Sequence, residues 1–154
     1  MGKENGARAL VVDYDGIREI EVNDIDDMQE AVNGGIELFG VPLIDGVDLY
    51  IDDEGMFSQD ANRAIVASKA MEDAGYLRQI RLRGHEGEVV KYGEYYTSLH
   101  GPILAVGLED ELGEITPLSD EQVEAVLEAF RDDGPMGPGT GLALETAILM
   151  EAGL

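Results

Sequence analysis

Apolar and polar positions alternate in two early stretches of the chain. Ala7–Tyr14 is followed by Asp15-Gly16 and then Ile17–Val22, where Ile20 and Val22 alternate with Glu19 and Glu21. Asp-Gly takes positive φ at low cost, so the spacing predicts a hairpin with one wet face on its second strand. Ile36–Val41 and Val47–Ile51 repeat the pattern around Asp45-Gly46, with Val47, Leu49 and Ile51 on one side. Between the hairpins, Ile25, Met28 and Val32 share a helical face. Asn23 or Asp24 caps that helix, Asp26 and Asp27 lie in its first turn, and Asn33-Gly34-Gly35 ends it. Asp60–Ala74 reads as a second helix, with an alanine-rich stripe at 64, 67, 71 and 74 and Gly75 as the stop. Tyr76–Arg83 reads as a strand, Tyr92–Leu99 has no clear period, and Ile103–Val106 after Gly101-Pro102 suits a buried strand. Ser119-Asp120-Glu121-Gln122 fits a capping box, and Val123, Val126, Leu127 and Phe130 form the stripe of a helix over 119–132. Gly134–Gly139 has linker composition, and Thr140–Ala152 is a small apolar-rich helix that either docks back or meets a partner or a second copy.

These elements predict a small α+β domain over 1–133: a mostly antiparallel sheet built from hairpins and packed with about three helices, at 24–33, 60–74 and 119–132. Residues 134–154 follow as a Gly/Pro linker and a helical tail. The chain has 154 residues, one domain's worth, and its 44% apolar content supports a packed core. No run approaches a membrane span, and the N-terminus lacks the apolar stretch of a signal peptide, so a cytoplasmic location is expected. The absence of cysteine excludes disulfides, thiolate metal sites and thiol catalysis.

Charge changes the picture most. The formal net charge is −23, and it is uneven: −13 over residues 1–60, +1 over 61–102 and −11 over 103–154. Such a surface repels phosphates, so direct nucleic-acid binding is not expected. It serves solubility or a salty cytoplasm, or it presents an acidic face to a basic partner. The carboxylates expected on such a face are Asp26, Asp27, Asp52, Asp53, Glu54, Glu109, Asp110 and Glu111.

Candidate chemistry is sparse. Asp52-Asp53-Glu54-Gly55 lacks the alternating ligands and the spacing of a calcium loop, and reads as a strand-to-loop turn whose charges stay wet. His85 and His100 form no helix-spaced ligand pair, and the serines at 58, 68, 98 and 119 lie in no nucleophile elbow. Residues 134–141 are glycine-rich but lack the lysine of a phosphate-binding loop. Arg81, Arg83 and Lys91 with Tyr92, Tyr95 and Tyr96 could hold an anion such as a nucleotide, or the arginines pair with the chain's own acids. No metal or cofactor is expected, and no constellation supports an enzyme.

"MQEAVNGGIELF" at 28–39, "LYIDDEGMFSQDANRAI" at 49–65 and "LHGPILAVGLEDELGEITPLSDEQVEAVLEAF" at 99–130 together resemble the family called domain of unknown function 3846. The resemblance covers roughly residues 7–130, and Asp52 stands where the family typically has Asn. The family occurs in phages, plasmids and conjugative elements, which implies a non-enzymatic accessory protein working in a host cytoplasm. The implied partner is a host protein, either a nucleic-acid-binding one occupied by phosphate mimicry or a defence factor. The alternative is a nucleotide-binding or sequestering protein. A homo-oligomer through the Thr140–Ala152 helix is a further possibility.

Overall fold

A computed structural model describes residues 6–75 and 92–151, apart from the side chains of Glu145, Ile148, Leu149 and Glu151. Strand β1 (Ala7–Val12) pairs antiparallel with β2 (Ile17–Val22), as the alternation predicts. The turn between them needs no left-handed residue: Asp13 N donates to Gly16 O, and the Asp13 carboxylate accepts from Tyr14 N. Helix α1 (Ile25–Val32) follows, capped by the Asp24 side chain on Asp27 N. Its left-handed stop is Asn33 itself, at φ 61°. Strands β3 (Ile36–Phe39) and β4 (Val47–Asp52) form the second hairpin, with Gly46 at φ 76°.

The long strand β7 (Ile103–Glu109) joins the two hairpins. The sheet runs β2-β1-β7-β4-β3, every neighbour antiparallel, and the short β8 (Ile115–Thr116) folds back on β7. Strand alternation then sorts the core into two faces. Val11, Leu104, Val106 and Tyr50 meet Met28, Ala31 and Val32 of α1. Leu10, Val12, Leu49, Ile103 and Ala105 face the opposite way, onto the rest of the molecule.

The helix expected over 60–74 is not formed. Ala61–Val66 is strand β5, and only Lys69–Asp73 is helical, as α3. An alanine stripe fits either period, and β5 is buried on both faces, so the alternation that would betray a strand is missing. Its partner is β6 (Tyr95–His100), which gives the unclear 92–99 stretch its structure in a separate two-stranded sheet. The strand expected at Tyr76–Arg83 lies outside the described residues. A one-turn helix, α2 (Gly55–Ser58), links β4 to β5.

Helix α4 (Asp120–Ala129) bears out the capping box: Gln122 N donates to Ser119 Oγ at 3.1 Å, and Ser119 N donates to Gln122 Oε1 at 2.8 Å. Gln122 Nε2 also donates to Gly46 O, tying the helix start to the second hairpin. Val126 and Phe130 are fully buried, each burial stabilising by about 1.5–3 kcal/mol, whereas Leu127 is exposed. Replacing Ser119 with alanine is expected to cost about 1 kcal/mol in urea denaturation. An unchanged midpoint would show that Gln122 alone secures the helix start.

Helix α5 (Thr140–Glu151) begins against β5, where Ala64 N donates to Thr140 Oγ1 at 3.1 Å. The preceding glycine-rich stretch puts Met136 into the main core. The structure is therefore mixed α+β, with an antiparallel sheet of hairpin strands and five helices among the described residues. None of these helices is long and apolar enough to cross a membrane.

Candidate functional site

Residues from several segments converge at one end of β4. The β3–β4 register sets Ile36 opposite Asp52, so the chain just before β3 runs beside the chain just after β4. Asp53 N donates to Gly35 O at 3.1 Å. Gly34 and Gly35 are flush against the acidic turn: a Cβ on Gly34 would collide with the Asp52 carboxylate, and one on Gly35 would lie 2.7 Å from Asp53 Oδ1.

Asp52 is only 6% exposed, so its charge does not stay wet as expected, while Asp53 and Glu54 are exposed. Its carboxylate accepts from Glu54 N at 3.1 Å, Ser58 Oγ at 3.3 Å and Gln59 Nε2 at 2.8 Å. Burial pushes this carboxyl up, but the bonds from Glu54, Gln59 and Ser58 outweigh it and hold it below its ordinary value. Gln59 Nε2 also donates to Val32 O at the end of α1, and Gln59 O accepts from His100 Nδ1 at 2.9 Å. Gly101, at φ 77°, leaves room for the Gln59 amide, which a Cβ would meet at 2.6 Å. Asn62 Nδ2 donates to Val12 O and Gly101 O, both at 2.9 Å.

Asp52, Ser58 and His100 all belong to this network: Ser58 Oγ donates to the Asp52 carboxylate, and the imidazole Nδ1–H donates to Gln59 O. Among the described residues, no group of three His, Cys, Asp or Glu is placed to hold a metal ion. The network's outward product is helix α2. Met56 and Phe57 are 72% and 88% exposed on a turn fixed from beneath by Asp52, with Asp53 and Glu54 exposed just before it.

The other expected acids are dispersed. Asp26 is exposed on α1, and Asp27 accepts from Asn23 N at 2.8 Å and Asn23 Nδ2 at 3.2 Å. Glu109, Asp110 and Glu111 are exposed at the β7–β8 turn, where Asp110 Oδ1 accepts from Leu112 N and Glu114 N. Arg81, Arg83 and Lys91 lie outside the described residues. Tyr92 is exposed, Tyr95 shares a 2.8 Å hydrogen bond with Ser98, and Tyr96 packs on the main core.

Two concavities bear on the candidate residues. A groove of about 700 Å³ runs between Leu38–Asp48 and α3; its Lys69 is already paired with Glu72 and Asp73. A smaller pocket, about 300 Å³, opens between the start of α1 and the β7–β8 turn. Tyr50 lines it, and burial pushes the Tyr50 hydroxyl up, assisted by the Glu109 and Asp48 carboxylates. Sequence reasoning singled out neither Tyr50 nor the Met56-Phe57 pair. An apolar pair directly after an acidic turn was the available signal for the latter.

The family model for domain of unknown function 3846 matches residues 7–131, and the chain belongs to that family. No curated protein and no solved structure matches it.

Proposed function

We propose that this is a non-enzymatic binding protein that docks its acidic surface on a basic partner protein, with Met56 and Phe57 as the apolar anchor. The observation that carries this reading is the exposure of Phe57 on a turn made rigid by the buried Asp52 network. An aromatic side chain left in water costs free energy, and one held in a fixed position loses little further entropy on docking. Asp53 and Glu54 beside it favour a pocket rimmed by lysine or arginine. The surplus acids support the same partner. Among the described residues Asp52 is the single buried carboxylate, so their other acids reach the surface. The mobile-element habit implied by the sequence resemblance makes a host protein the partner, and one that ordinarily binds nucleic acid already carries the required basic surface.

Changing Met56 and Phe57 together to serine tests this. Stability should stay within about 0.5 kcal/mol, as for other surface changes. Affinity for the protein captured by the wild type from host lysate should fall at least 30-fold, the loss of about 2 kcal/mol typical of an anchor. Neutralising Asp53 and Glu54 should instead slow association and flatten its salt dependence. Equal capture by wild type and the double variant would sink the proposal.

A further inference from the structure

We propose that the pocket between the α1 N-terminus and the β7–β8 turn receives one lysine or arginine side chain of the partner, an inference that rests on the basic partner proposed above. Its walls are apolar where Met28, Ile36 and Ile115 line it, and its carboxylates are Asp24, Glu109 and Glu114. A long cationic side chain has the same division: an alkyl stem that prefers apolar walls and a charged head that prefers oxygen.

Tyr50 supplies the second, independent observation. It is 9% exposed, it lines the pocket, and its hydroxyl makes no hydrogen bond within the described residues. No fully buried side-chain oxygen or nitrogen there lacks a partner, so this hydroxyl keeps its access to open space, and the pocket is where Tyr50 meets it. A phenol oxygen in that position can accept from an ammonium or guanidinium while its proton serves a carboxylate. An anionic ligand would face the Asp24 and Glu109 carboxylates. A neutral apolar ligand would strip water from the phenol and the acids and return no hydrogen bond. The partial positive charge of the helix N-terminus is offset by Asp24, Asp26 and Asp27. Gln59, just after the Phe57 turn, donates to Val32 O at the end of α1, and the pocket opens at the start of that helix, whose eight residues span about 12 Å.

The test is a titration of the full chain with a hexa-arginine peptide, a hexa-norleucine control carrying solubilising ends, and spermidine, followed by backbone and methyl NMR. Hexa-arginine should shift Met28, Ile36 and Ile115, and the control should not. Tyr50→Phe, which keeps the ring's packing, should weaken binding about tenfold, the range for losing a hydrogen bond to a charged group. Glu109→Gln, at an exposed position that cannot unfold the core, should weaken it as well. Binding that leaves these resonances still and is indifferent to both variants overturns the pocket and leaves the acidic-surface reading standing. No binding of hexa-arginine even at low salt overturns both. Spermidine filling the pocket more tightly than the peptide replaces the partner side chain by a free polyamine and overturns the proposal as stated.

Discussion

Replacing Arg63 with alanine will lower folding stability by about 3–5 kcal/mol, the range for breaking a buried charged network. For a chain of this size that is roughly 10–15 °C in melting temperature. Arg63 is fully buried, yet its partners are neutral oxygens. Its guanidinium donates to Asp13 O at 3.0 Å, Phe130 O at 3.0 Å, Met136 O at 2.9 Å and Asn62 Oδ1 at 3.3 Å, with the Phe130 ring 6.0 Å away. Burial lowers its pKa, and the carboxylates of Asp132 and Asp13 act in the opposite sense. The carbonyls belong to three separated places: the β1–β2 turn, the end of α4 and the glycine-rich stretch before α5. Alanine would leave all three without this donor and open a cavity under Phe130. Arg63→Met keeps most of the volume and removes the donors; Arg63→Lys keeps the charge, but an ammonium lacks the planar fork that reaches several acceptors at once. Urea denaturation of the three variants separates volume from hydrogen bonding. A loss under 1 kcal/mol for alanine would show that these segments hold without the arginine.

Arg63 also shows what was legible in the sequence and what was not. The two hairpins and α1 could be read because their outer strands and the helix keep exposed polar positions, so Glu19, Glu21, Glu37 and Glu30 report the period directly. Helix α4 could be read because its capping box is local. Strand β5 could not, because burial on both faces removes the polar positions that mark a period, and its two polar residues, Asn62 and Arg63, spend their donors on distant carbonyls. A basic residue amid 33 acids suggests a surface ion pair, and nothing local says that this one is a core residue. The acidic turn was half legible. Its turn character follows from Asp and Gly, but the burial of Asp52 depends on Gly34 and Gly35 arriving across the β3–β4 register and on Ser58 and Gln59 folding back. That register was available: with Ile36 opposite Asp52, two side-chain-free residues fall beside the first two acids. The Tyr50 pocket was not legible, because it needs α1, β4 and the β7–β8 turn placed together.

Asp52 carries the second large expected effect, and pH separates it from the other acids. Asp52→Ala should cost about 2–3 kcal/mol, since Glu54 N, Ser58 Oγ and Gln59 Nε2 lose a shared acceptor in a buried place. Asp52→Asn is milder, because the amide oxygen still accepts from Glu54 N while its NH₂ opposes the Gln59 donor. Linkage fixes the sign. The Asp52 carboxyl sits below its ordinary value of 3.8 in the folded protein, so its stabilisation is fully present above that value and is lost as pH falls through the depressed folded value. Acidification also relieves repulsion among the surface carboxylates, which raises stability and would mask the loss in the wild type alone. The difference between wild type and Asp52→Asn cancels that relief, because both carry nearly the same surface charge. The gap between their urea midpoints should therefore be flat from pH 7 down to about pH 4 and close below it. A gap that instead widens as pH falls from 7 to 5 would mean a raised carboxyl, with burial dominating over the three hydrogen bonds. The rigid support assigned to the Phe57 turn would then be lost with it.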